Sequence, residues 1–116
     1  KNVTALNALG YTLTDRTTRY QEVLGLLQQA MSLKPNDAYI MDSMGWLQYR
    51  MGNNAEAVKY LKHAFDMSND AEIAAHLGEV LWVTGNHSEA ESVWNRALRK
   101  TPDNEALNSV IKKFRQ

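Results

Sequence analysis

Residues 44–64, MGWLQYRMGNNAEAVKYLKHA, repeat in pattern at residues 77–97, LGEVLWVTGNHSEAESVWNRA, and this self-similarity decides the fold. Met44-Gly45 and Leu77-Gly78 lie 33 residues apart, and Leu9-Gly10 lies 35 residues before the first of them. Downstream of each pair comes a small or apolar residue, a large apolar one and an alanine at constant spacing: Val23, Leu27, Ala30; Ala57, Leu61, Ala64; Ala90, Trp94, Ala97. LKPND (33–37) and RKTPDN (99–104) close the first and third units with proline, whereas DMSND (66–70) closes the second without one. A fixed period of this length is the mark of a stacked repeat.

Within each unit, two stretches of helical periodicity flank a turn. RMGNNAEA (50–57) and VTGNHSEA (83–90) share Gly and Asn before the second helix, and Asn53 with Glu56, like Asn86 with Glu89, has the three-residue offset of a capping box. TDRTTRY (14–20) is a longer connection, with Thr17 or Thr18 as the cap. A glycine inside a helix costs about 1 kcal/mol relative to alanine. Its recurrence at Gly10, Gly45 and Gly78 therefore requires a reason, and close helix contact is that reason. Ala30, Ala64 and Ala97 are expected to do the same from the opposing helix. DNEALNSVIKKFRQ (103–116) places Ala106, Leu107, Val110, Ile111 and Phe114 on one face of a single helix, as a terminal cap over Leu98 and Trp94 would.

Composition narrows the function. Thirteen Lys plus Arg balance thirteen Asp plus Glu, so no global field directs the chain to nucleic acid or an anionic membrane. The absence of cysteine excludes a disulfide framework, a thiolate metal site and a cysteine nucleophile. His63, His76 and His87 match no metal-ligand spacing, no Ser, His and Asp grouping assembles, and no cofactor is expected. The basic residues near the C-terminus lack the interleaved aromatics of a nucleic-acid stripe, and no apolar run approaches the ~20 residues of a membrane span. The chain opens on Lys1, and we expect it to be one domain of a longer protein.

These residues resemble the tetratricopeptide repeat family, in which a two-helix unit of about 34 residues stacks into a superhelix. The resemblance implies an all-α, right-handed solenoid of three repeats (about 3–37, 38–70 and 71–104) with a capping helix at about 105–116. Gln48 departs from the large residue usual at its site. A narrower resemblance, carried by LNALGYTLTDRTTRYQEVLGLLQQA (6–30), DSMGWLQYRMGN (42–53) and AAHLGEVLWVTGN (74–86), is to the C-terminal repeats of outer-membrane lipoproteins of Gram-negative bacteria, some of them adaptors for a periplasmic processing protease. It implies the periplasmic face of the outer membrane; the broader resemblance alone is equally compatible with the cytoplasm.

Family position puts Thr4, Asn7 and Tyr11, then Tyr39, Asp42, Trp46 and Tyr49, then Glu72, Ala75, Glu79 and Trp82 on the concave wall built by first helices. Candidate partner-binding residues are therefore Tyr11, Tyr39, Asp42, Trp46, Tyr49, Glu72, Glu79 and Trp82. Aromatic anchors in such a groove are worth ~2 kcal/mol or more each. Trp94 and Tyr60 are read as packing residues instead. From Phe65 to Asn95 there are six acids and no Lys or Arg, so the expected ligand is a protein or peptide segment with apolar side chains near a Lys or Arg. The family's carboxylate clamp is not expected, because its sites read Asn7, Tyr11, Trp46, Glu72 and His76. One alternative makes Trp46 and Trp82 core filler; the other makes the chain a self-associating stretch of a longer superhelix, its aromatics buried against further repeats or a second copy. Rings sealed beneath neighbouring helices with no hollow left over would sink the docking reading.

Overall fold

The computed structural model describes residues 20–115, and these form six helices. They are α1 (Tyr20–Leu33), α2 (Ala38–Arg50), α3 (Asn54–Met67), α4 (Ala71–Val83), α5 (His87–Lys100) and α6 (Glu105–Arg115). Among the described residues there is no strand, and the chain is an all-α helical solenoid. Thr4, Asn7, Gly10, Tyr11, Thr17 and Thr18 lie outside the described residues.

The turns inside the α2–α3 and α4–α5 hairpins match in their bonding. Gly52 and Gly85 have φ of 88° and 90°, the left-handed region where a Cβ is penalised. The Gly52 amide donates to the Tyr49 carbonyl at 3.0 Å and the Asn53 amide to the Gln48 carbonyl at 2.8 Å; Gly85 with Trp82 and Asn86 with Leu81 repeat this pair at the same distances. This is the Schellman helix stop. The expected capping boxes are accordingly absent. Neither Asn53 nor Asn86 makes a side-chain cap bond, because the glycine turn directs each Asn backward. Asn53 Nδ2 donates to Gln48 Oε1 at 2.9 Å, which gives the unusual Gln48 its partner. Glu56 and Glu89 pair with Lys59 and Lys62.

The side-chain caps occur at the other turns. Asp37 accepts from the amides of Tyr39 and Ile40 at 2.9 and 3.0 Å, Asp70 from Glu72 at 2.8 Å, and Asn104 from Leu107 at 2.9 Å. Each satisfies amides that a helix start leaves unpaired, typically worth ~1 kcal/mol.

Within the hairpins the glycines provide space. A Cβ on Gly45 would lie 2.6 Å from Leu61 Cγ, and one on Gly78 would lie 1.8 Å from Trp94 Nε1. Leu61 and Trp94, with Ala64 and Ala97, are fully buried, as are Leu27 and Ala30 of α1. The core forms one cluster through α2–α6 and a smaller one of Val23, Leu27, Met44 and Leu47, against which Tyr60 packs half-buried.

Successive first helices approach one another, α2 with α4 and α4 with α6, whereas the backbones of α1 and α3, or of α3 and α5, do not. The stack therefore curves with α2 and α4 on its inner wall. Helix α6 lies chiefly against α4, burying Leu107 and Ile111, and Arg115 Nε donates to Glu91 Oε2 at 3.0 Å.

Candidate functional site

The inner wall is the seam between α2 and α4, and three cross-helix contacts run along it. At one end the Tyr39 hydroxyl donates to Asp70 Oδ2 at 3.1 Å, the same carboxylate that caps α4. That bond, with the nearby negative charge, raises the Tyr39 phenol above its ordinary pKa. In the middle His76 Nδ1 and Asp42 Oδ1 are hydrogen-bonded at 2.8 Å. Burial pushes the Asp42 carboxyl up, and the His76 contact opposes this only in part. At the far end Tyr49 faces Glu79; burial first, and then the Glu79 carboxylate, push its phenol up to about 12.

Trp46 seals the middle contact. Its ring stacks on the His76 imidazole at 4.3 Å and an interplanar angle of 25°, and the Tyr49 ring lies tilted against it at 5.1 Å. The expectation that Trp46 and Asp42 lie open to the groove is thereby corrected: they are 8% and 6% exposed. The physical reason is that α4 presents His76 to them, giving the carboxylate a hydrogen-bond partner and the indole a flat surface, and residues 40–47 of α2 are buried throughout. His76 was missed as a member of this site. Its signal in the sequence was its separation of 34 residues from Asp42, one repeat, with an acid facing a base.

The other described candidates do reach solvent. Tyr39 is 50% exposed, Glu72 is exposed, and Tyr49, Glu79 and Trp82 are half-buried. Trp82 is held from both sides, stacked on His87 at 3.8 Å and 7° and on the buried Trp94 at 5.6 Å and 23°. The charges of this wall differ from those of the outer helices. Glu56, Glu89 and Glu91 each have a Lys or Arg partner, while Asp70, Glu72 and Glu79 form no ion pair among the described residues. The three histidines fall on α3, α4 and α5, and among the described residues no group of three His, Cys, Asp or Glu is placed to hold a metal.

Paired antiparallel helices, a shared glycine-stopped turn and a curved inner wall define a helical-repeat protein. The profile of the tetratricopeptide repeat matches residues 48–113, and the chain belongs to that family. The TPR repeat-containing protein PA4667 of Pseudomonas aeruginosa is 56% identical over 78 residues, covering 67% of this chain and 13% of its own length. The chain thus spans a small part of that relative. Among solved structures, TTC0263, a thermophilic TPR protein of Thermus thermophilus, superimposes with a TM-score of 0.83 over 97% of this chain and 63% of its own at 20% identity. PcrH, in complex with the chaperone binding region of PopB, gives 0.76 over 96% of this chain and 90% of its own at 19% identity. At these identities the two structures establish the fold alone.

Proposed function

We propose that this domain is a non-catalytic protein-interaction scaffold whose inner wall holds a peptide segment of a partner protein. The carrying observation is the coincidence on α2 and α4 of accessible aromatic surface (Tyr39, Tyr49, Trp82) with carboxylates (Asp70, Glu72, Glu79) that have no cation partner among the described residues. Apolar side chains of the partner would cover the rings, and a Lys or Arg would meet the acids, supplying orientation more than affinity. Asp42, His76 and Trp46 act beneath that surface, fixing α2 against α4. Tyr11 remains a candidate by family position. The PcrH complex, in which a TPR-fold neighbour holds a region of another protein, supports the general mode.

Selection of binders from a random peptide library tests this. Selected peptides should be rich in Lys or Arg beside apolar residues, and Trp82→Ala with Glu72→Lys should reduce their binding at least about tenfold, the loss of one anchor and one charge contact. Peptides that bind the double variant undiminished would overturn the reading. Concentration-dependent light scattering addresses the rival: a dimer broken by the same substitutions would assign the wall to self-association. The finer role, adaptor for a periplasmic protease at the outer membrane, rests on the narrower family resemblance alone. Capture of a protease by the full parent protein, lost on substitution at Tyr39 and Trp82, is its test.

A further inference from the structure

The two outer junctions of the stack use equivalent positions and close differently. Between α3 and α5, Phe65 is only 2% exposed, the Arg96 guanidinium stands 5.4 Å from its ring centroid, and Lys62 reaches across to Glu89 at 2.6 Å. Between α1 and α3, one repeat earlier, Met31 occupies the position of Phe65, His63 that of Arg96, Gln28 that of Lys62 and Glu56 that of Glu89. That junction is open. A cleft of about 280 Å³ lies there, with Met41 buried, Met31 and Tyr60 half-buried, and Glu56, Lys59 and His63 exposed around it.

Each replacement removes something that the later junction has. Met31 is unbranched and has no ring to fill the space between helices. Gln28 has no charge, so among the described residues Glu56 receives a cation only from its own helix, Lys59 at 3.3 Å with both side chains more than half exposed. The remaining wall suits an aromatic guest, since two thioethers and a phenol ring make favourable contacts with one. An incoming cation would share the Glu56 carboxylate with Lys59, whose exposed contact is weak, and this lends a modest charge preference.

We propose that this cleft is a second docking site, on the outer face and separate from the inner wall, for an aromatic side chain flanked by Lys or Arg on a partner protein. The ring takes the place that Phe65 fills one junction later, and the flanking cation meets Glu56 as Lys62 meets Glu89. A single ring with one ion contact predicts weak binding, about millimolar on its own, that matters when the same partner also occupies the inner wall.

The test is a titration of the full chain, carrying isotope-labelled Met ε-methyl groups, with the capped peptide Gly-Lys-Phe-Lys-Gly. Ring-current shifts should appear at Met31 and Met41 and saturate with a half-point near ~1 mM. A peptide with Ala for Phe should give no such shift, and one with Glu for both Lys should bind at least about fivefold more weakly. Met31→Phe, which fills the slot from within, should abolish the response, whereas Trp82→Ala should leave it intact. Glu56→Lys, at an exposed position that does not depend on packing, should reverse the preference between the Lys and Glu peptides. The proposal is overturned by the lack of a saturable shift, by an equal shift with the Ala peptide, or by a Glu56→Lys protein that keeps the original preference.

Discussion

The α2–α3 and α4–α5 hairpins share a register, a glycine-stopped turn and a small-residue contact, but one is filled by Leu61 and the other by Trp94. Against Gly45 the leucine makes an ordinary aliphatic contact. Against Gly78 the Nε1 side of the indole occupies the place a side chain would take, and that Nε1 is buried without an acceptor among the described residues. The same glycine position thus faces two side chains of very different volume, each of which occupies space that a Cβ would need. The larger filler also supports a functional surface, since Trp94 is the platform beneath Trp82.

The hairpins differ first in what shields them. The α2–α3 pair leans on α4, and the α4–α5 pair leans on α6. Truncation after Lys100 removes the buried Leu107 and Ile111 with half-buried Val110 and Phe114, a loss of about 5 kcal/mol on apolar burial alone. Thermal melting should show a large drop in Tm; an unchanged Tm would mean that α6 contributes nothing to the neighbouring hairpin. Gly78→Ala comes next. Its Cβ meets a rigid ring, so a cost of about 3 kcal/mol is expected in denaturant unfolding. Gly45→Ala should cost less, about 2 kcal/mol, because its Cβ would overlap Leu61 Cγ at 2.6 Å less deeply than a Gly78 Cβ overlaps the indole. Combining Gly78→Ala with Trp94→Leu should recover much of the loss relative to the sum of the single variants, and additivity would refute the glycine–ring explanation.

Where the hairpins are alike, substitutions should act alike. Gly52→Ala and Gly85→Ala meet no nearby atoms but retain the positive φ, so each should cost about 1–2 kcal/mol. A marked inequality would break the equivalence of the turns. The seam between the hairpins gives a smaller, pH-dependent effect. Folding raises the Tyr49 phenol to about 12, so its contribution is whole below the ordinary tyrosine pKa of ~10 and is lost as pH rises from there. Ultraviolet titration should find Tyr39 and Tyr49 ionising late, and Glu79→Gln should move Tyr49 earlier while leaving Tyr39 in place. Trp94→Phe is the mildest change: loss of packing is offset by removal of an unpaired buried N–H, for a net effect within ~1 kcal/mol.

The repeat frame was legible because Gly, Ala and the large residue between them encode helix spacing directly. Asp42 and Trp46 were misread because one helix in isolation assigns a face but not the neighbour that covers it, and the cover comes from His76. Asn53 and Asn86 do stand at the starts of α3 and α5, where their carbonyls accept from Ala57 and Ala90, but after a positive-φ glycine their amides close the preceding helix and their side chains make no cap bond. The real caps, Asp37, Asp70 and Asn104, were in plain view within the segments read only as closers. Tyr39, Glu72 and Trp82 were placed on accessible surface, as family position implied.

The first helices touch along the inside while the second helices stand apart. A row already in contact resists compression, so any bending of the stack would be taken up by the outer row, like the ribs of a fan. A side chain lodged between two ribs would then act as a wedge. It would set the curvature, and hence the width, of the surface on the far side without contacting it.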